Sequence, residues 1–140
     1  MDRRKIARQL GRYLLWIFLI SSLLAGCVLL IWYSGMDSSL ESNQIRFLIT
    51  CMGLLWILPL TVSSLAIFLN LYPKVRHSWV YSAGSFFLLP LMSTFVGYKA
   101  LDPTFIELIL YPFLSVTLIY FLVLIYFFIQ FFRQHNHKVI

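Results

Sequence analysis

The side chains able to do chemistry are few and sit at the margins of the sequence. Three histidines, His77, His135 and His137, could ligate a metal or relay protons, and two cysteines, Cys27 and Cys51, could pair or react. Five carboxylates, Asp2, Asp37, Glu41, Asp102 and Glu107, complete the set. Their spacing assigns none of these tasks. His135 and His137 lie two apart in a polar tail, which reads as a solvated end. Cys27 and Cys51 stand in apolar surroundings, where cysteine packs as a small hydrophobe. Glu41 follows Ser38 by three residues and Glu107 follows Thr104 by three, so these acids read as capping boxes at helix starts, where a negative charge is favoured. No GxSxG, HExxH, Walker motif or CxxC pair occurs. The expectation is a protein that is not an enzyme, with no cofactor and no metal site.

What must position these residues is a set of four charge-free runs, 13–33, 47–70, 79–98 and 108–132. About twenty helical residues cross the roughly 30 Å hydrocarbon layer, so each run is long enough to span it. Only 11% of the residues are charged and 61% are hydrophobic, which excludes both a water-soluble globule and a disordered chain. Barrel strands would alternate apolar and polar residues, whereas 14–32 and 118–132 are apolar all round. The fold class is therefore an all-α integral membrane protein, a single four-span domain over 1–140 with short loops. The first run reads as a retained span, being longer than a signal core and lacking a small-x-small exit.

Nine of the eleven basic residues fall on one side: Arg3, Arg4, Lys5, Arg8 and Arg12, then Lys74 and Arg76, then Arg133 and Lys138. Arg46 and Lys99 fall on the other. The positive-inside rule places both termini in the cytoplasm of a cell inner membrane. Tyr13, Trp16, Trp32, Tyr33, Tyr72, Trp79 and Tyr81 fall near span ends, where aromatic rings anchor at the interface. Five basic residues beside a membrane give no footing for nucleic-acid binding.

Small residues recur four apart, Ser21 with Ala25 and Ser22 with Gly26 in span one, Ser93 with Gly97 in span three, and Gly53 lies in span two. Such positions let helices approach closely, which is what holds bundles together in lipid or receives a partner helix. Pro59 and Pro90 lie near mid-span in neighbouring helices and predict two kinks, with Thr61, Ser63, Ser64, Ser93 and Thr94 at hand for freed backbone groups and a small cavity between them. The ring-rich inner half of span four predicts a face towards lipid or a partner, with Phe131 as a lipid-facing position against which Ser22→Leu and Gly97→Leu would be severe.

No Asp, Glu, Lys, Arg or His falls within any run, whereas coupled carriers and pumps need an ionisable group of that kind in the membrane, and haem needs an axial ligand there. The four-span disulfide-forming quinone oxidoreductases are excluded, because they depend on cysteine pairs in outer loops. In size, span count and cytoplasmic termini the chain resembles the tetraspan immunity proteins that protect bacteria from pore-forming toxins, a likeness of architecture with no shared residue motif. That resemblance implies intramembrane helix–helix recognition of another membrane polypeptide, with Gly26, Cys27, Cys51, Gly53, Ser93 and Gly97 as contact positions in the outer half. An accessory subunit of a larger complex fits the same reading. The alternative is a channel-like or holin-like self-associating oligomer, with the prolines bending helices around a pore.

Overall fold

A computed structural model describes residues 3–35, 40–100 and 106–136, side chains at 40–42, 106–109 and 135–136 excepted. The capping boxes at Ser38/Glu41 and Thr104/Glu107, the Asp37 and Asp102 carboxylates, and the His135, His137 and Lys138 tail lie outside the described side chains. Within the described residues all secondary structure is helical: α1 (Arg3–Ser34), α2 (Leu40–Ser63), a 3-10 helix (Ser64–Leu71), α3 (Pro73–Arg76), α4 (Trp79–Ala100) and α5 (Ile106–Asn136). Four of these units, Arg3–Ser34, Asn43–Leu71, Trp79–Ala100 and Leu110–Gln134, are long and apolar enough to cross a membrane. Helices are the form such segments must take in lipid, since each pairs its own backbone groups internally.

Local chemistry explains the turn between the second and third of these units. Tyr72 is extended, as a residue before proline prefers, and Pro73 opens the single turn α3, where its missing N–H leaves no donor unpaired. Ser82 N donates to Ser78 O at 2.9 Å to start α4. Pro59 and Pro90 both sit inside helices that continue past them. The nearby hydroxyls do not reach carbonyls freed by those prolines, as the sequence suggested. They turn back on their own helix: Thr61 Oγ1 donates to Ile57 O at 2.8 Å, Ser63 Oγ to Leu60 O at 2.8 Å, and Thr94 Oγ1 to Pro90 O at 2.8 Å.

The core forms around α5. Of its most apolar window 44% is buried, against 22%, 28% and 22% in the other three long apolar units, so α5 is the central helix. This corrects the expectation for its rings: Tyr120 and Phe131 are fully enclosed, Phe127 and Phe128 are buried, and only Tyr126 of the group is exposed. Phe131 is thus a core position rather than a lipid-facing reference. Helix α1 contributes one narrow stripe, Ile6, Leu10, Tyr13, Ile17, Ser21, Ala25, Leu29 and Tyr33, whose spacing of three or four follows the helical repeat. Tyr13 and Tyr33, read from the sequence as interface anchors, point inward on that stripe, whereas Trp16, Trp32, Tyr72, Trp79 and Tyr81 are exposed. Tyr13 packs on Phe127 with ring centroids 5.2 Å apart, and its hydroxyl donates to Gln134 Oε1 at 2.9 Å while accepting from Gln9 Nε2 at 3.0 Å. These bonds fasten α1 to α5 at the end of the bundle that carries both termini.

Candidate functional site

In the half of the bundle away from the termini, α2, α4 and α5 enclose an apolar crevice of about 250 Å³. Its wall comes from Ile49, Met52, Gly53 and Trp56 of α2, Gly97 and Ala100 of α4, and Pro112 and Phe113 of α5. Trp56 governs its shape. The indole Nε1 donates to Thr117 Oγ1 at 3.2 Å, and the ring meets Phe113 at 4.4 Å between centroids with the planes 44° apart. Held from both sides, the ring points the outer edge of its six-membered ring at the backbone of Gly97. A Cβ at that glycine would overlap the six-membered ring, standing 2.7 Å from Cζ2 and 2.8 Å from Cζ3. Gly97 therefore supplies the space that Trp56 occupies.

On the other side of the same indole runs an open cleft of about 360 Å³ between α2 and α4, lined by Trp56, Pro59, Ser63, Leu89, Met92, Ser93, Val96 and Gly97. The paired prolines do not share it: Pro59 lies on its wall, while Pro90 is buried and turned away. Thr61 and Thr94 also lie off its lining. Two spaces thus flank one ring, and both open towards whatever surrounds the bundle.

The small residues singled out by sequence fall into two groups. Ser21 and Ala25 are fully buried in the α1 stripe, and Gly53 is buried where Leu29 of α1 and Val116 of α5 approach it, at 3.0 and 3.6 Å from a Cβ built there. Ser93 and Gly97 line the α2–α4 cleft. Ser22 and Gly26 lie beside the stripe rather than on it, half-buried, and a Cβ at Gly26 would meet open space. The structure brings Gly53 and Gly97 together around Trp56 and leaves Ser22 and Gly26 on a different face. Cys27 is exposed, Cys51 half-buried, and both are free thiols.

Two polar clusters escaped the sequence reading. Tyr120 Oη and Ser64 Oγ are 2.6 Å apart, and both reach the Leu60 carbonyl, at 3.1 and 3.0 Å. Nearer the termini, Asn70 is fully buried; its Nδ2 donates to Ile67 O at 3.0 Å and to Ser85 Oγ, and Ser82 Oγ donates to its Oδ1 at 2.7 Å. Ser85 Oγ in turn donates to Ser82 O at 2.7 Å. The available signal was an Asn beside the turn with serines three apart just beyond it, on the helix it must face. Each hydroxyl here is committed to a neighbour, and none is set against a base, so the arrangement locks helices together rather than activating a nucleophile. Among the described residues no group of three His, Cys, Asp or Glu side chains is placed to hold a metal ion.

No known family model, no characterised protein and no solved structure matches the chain.

Proposed function

We propose that this chain is a non-enzymatic, multi-pass protein of a bacterial inner membrane, with both termini cytoplasmic, that works by recognising another membrane polypeptide through helix–helix contact. The supporting observation is the pair of spaces around Trp56. In lipid no hydrophobic force draws helices together, so recognition depends on close fit and on small residues that admit it. The α2–α4–α5 crevice offers that fit: Gly97 seats Trp56, which presents a rigid aromatic edge, and the lining is apolar enough to receive aliphatic side chains from a guest helix. Its depth, in the half of the bundle away from the basic termini, suits a partner or toxin entering from outside the cell. Immunity to a pore-forming toxin and service as an accessory subunit are the two settings this contact would fit. A pore within one chain finds no support, since Tyr120, Phe86, Phe131 and Ile57 fill the interior.

The test is co-purification of the tagged full chain from native membranes in mild detergent. Met52→Trp, which fills the crevice from its rim, should abolish retention of a stoichiometric membrane or toxin partner, while Leu122→Ala on an exposed face of α5 should retain it. Recovery of self-oligomers alone, unaffected by Met52→Trp, would overturn the reading and favour the channel-like alternative. Orientation is checked separately: a green fluorescent protein fused after Ile140 should fluoresce and alkaline phosphatase at the same place should stay inactive.

A further inference from the structure

At the end of the bundle that carries the termini, an open groove of about 570 Å³ runs between the 3-10 helix and α4. Ala66 and Leu69 line one side, Tyr81, Gly84 and Leu88 the other, and Val75 of α3 lines the end at the turn. Gly84 gives the groove its depth. Tyr81 and Leu88 are exposed ridges three residues before it and four after it on one face of the helix, while a Cβ built at Gly84 meets nothing within 4 Å. Only Tyr81 and Ser85 bring polar side chains to the lining, and Ser85 is spent: its hydroxyl donates to Ser82 O at 2.7 Å and accepts from Asn70 Nδ2. The α4 wall, from Val80 to Leu89, covers about 14 Å along the helix axis and stops just short of Pro90. An apolar trough therefore descends from the turn towards the middle of the bundle.

Charge stands at its mouth. Lys74 and Arg76 flank Val75 within the single turn α3, and neither side chain has a hydrogen bond or ion pair among the described residues. Tyr72, Trp79 and Tyr81 are exposed around the same turn, as aromatic rings are at the edge of a hydrocarbon layer. The sequence of surfaces is thus cation, aromatic belt, apolar trough, which matches phosphate, glycerol ester and acyl chain in a phospholipid. We propose that the groove holds one anionic phospholipid of the leaflet on the side of the termini, its phosphate at Lys74 and Arg76 and one acyl chain in the trough over Gly84. The proposal rests on the chain lying in a bilayer, and it does not depend on recognition of a partner polypeptide at Trp56, in the opposite half of the bundle.

Native mass spectrometry of the delipidated full chain, titrated with phosphatidylglycerol or phosphatidylcholine, tests it. One phosphatidylglycerol should persist at collision energies that strip phosphatidylcholine. Lys74→Gln and Arg76→Gln should each weaken phosphatidylglycerol binding about fivefold, the effect of one cation beside an anionic headgroup, and leave phosphatidylcholine as it was. Gly84→Leu fills the trough and should remove the adduct while the melting temperature stays native, since its Cβ enters open space. Lys99→Gln, an exposed charge at the far end of α4, should change nothing, and neither should Met52→Trp in the Trp56 crevice, so the two readings fail separately. Equal retention of the two lipids, an unchanged adduct in Gly84→Leu, or an equal loss in Lys99→Gln would overturn the proposal. A clear drop in the melting temperature of Gly84→Leu would mean that the groove is closed in the native bundle, which also overturns it. Displacement of the lipid by excess inorganic phosphate would assign the site to a free anion instead, and loss of self-oligomers in Gly84→Leu with phosphatidylglycerol still bound would assign the groove to a second copy of the chain.

Discussion

Replacing Gly97 by leucine should drive Trp56 out of its place, and the cost can be assembled from what the ring touches. The new Cβ would occupy the volume of the indole's six-membered ring, so the ring rather than the side chain must yield, since a Cβ is fixed by the α4 backbone. Moving it breaks the Nε1–Thr117 bond, of a kind that averages about 0.6 kcal/mol between membrane helices. It also separates the ring from Phe113, a pair worth about 0.5–1.5 kcal/mol. Overpacking of the remaining neighbours adds about 1–3 kcal/mol, and because these terms share one side chain their combined effect should be about 2–4 kcal/mol. Reversible unfolding of the purified protein in mixed micelles, titrated with dodecyl sulfate and followed by near-ultraviolet circular dichroism, measures it. The decisive comparison is a double-mutant cycle. In a Trp56→Ala background the obstructing ring is gone, so Gly97→Leu should cost less than about 1 kcal/mol. A Gly97→Leu protein within about 0.5 kcal/mol of the native chain, or a cost that persists undiminished without Trp56, would refute the argument.

The same titration checks three further expectations. Tyr120→Phe removes the hydroxyl that joins α5 to Ser64 and the Leu60 carbonyl, and should destabilise by about 0.6–1.7 kcal/mol, with a matching coupling in the cycle with Ser64→Ala. Asn70→Leu conserves volume but strips Ser82 of its acceptor in a buried site, so it should cost about 1–3 kcal/mol, most of it recovered when Ser82→Ala is added. Gly53→Leu should cost about 1–3 kcal/mol through Leu29 and Val116, whereas Gly26→Leu, meeting open space, should change stability by no more than about 0.5 kcal/mol.

What was legible in the sequence follows from the physics of the solvent. The four long apolar helices could be read because charge is costly in hydrocarbon and its absence marks each run. The four-residue spacing of small residues marked Ser21 with Ala25 and, equally, Ser22 with Gly26, and it carried nothing to say that only the first pair lies on the buried stripe. The inward turn of α5 could not be found. In water, apolar residues point to the core, but lipid is as apolar as leucine, so Phe131 facing the core and Tyr126 facing out carry no compositional mark of the difference. Trp56 was hidden for the same reason, being one ring in an apolar run until the glycine opposite it is placed in space. Tyr13 and Tyr33 misled differently, since their rings sit where anchors belong but lie on the face of α1 that the four-residue stripe buries.

The tightening of the second apolar unit at Ser64 has a consequence for how the bundle keeps its register. The eight residues Ser64–Leu71 form a 3-10 helix whose buried members are Ser64, Ile67 and Asn70. With three residues per turn, positions three apart stack in a straight row, whereas on an α-helix they would drift sideways by about 60° at each step. The change of screw therefore aims Ser64 at Tyr120 and Asn70 at the α4 serines from a single line. It also stretches this stretch of chain to about 16 Å, where an α-helix would reach about 12 Å. The segment works like a ruler with two marks, and one added residue between Ile67 and Asn70 would swing the second mark by about 120° and detach α4 from its place.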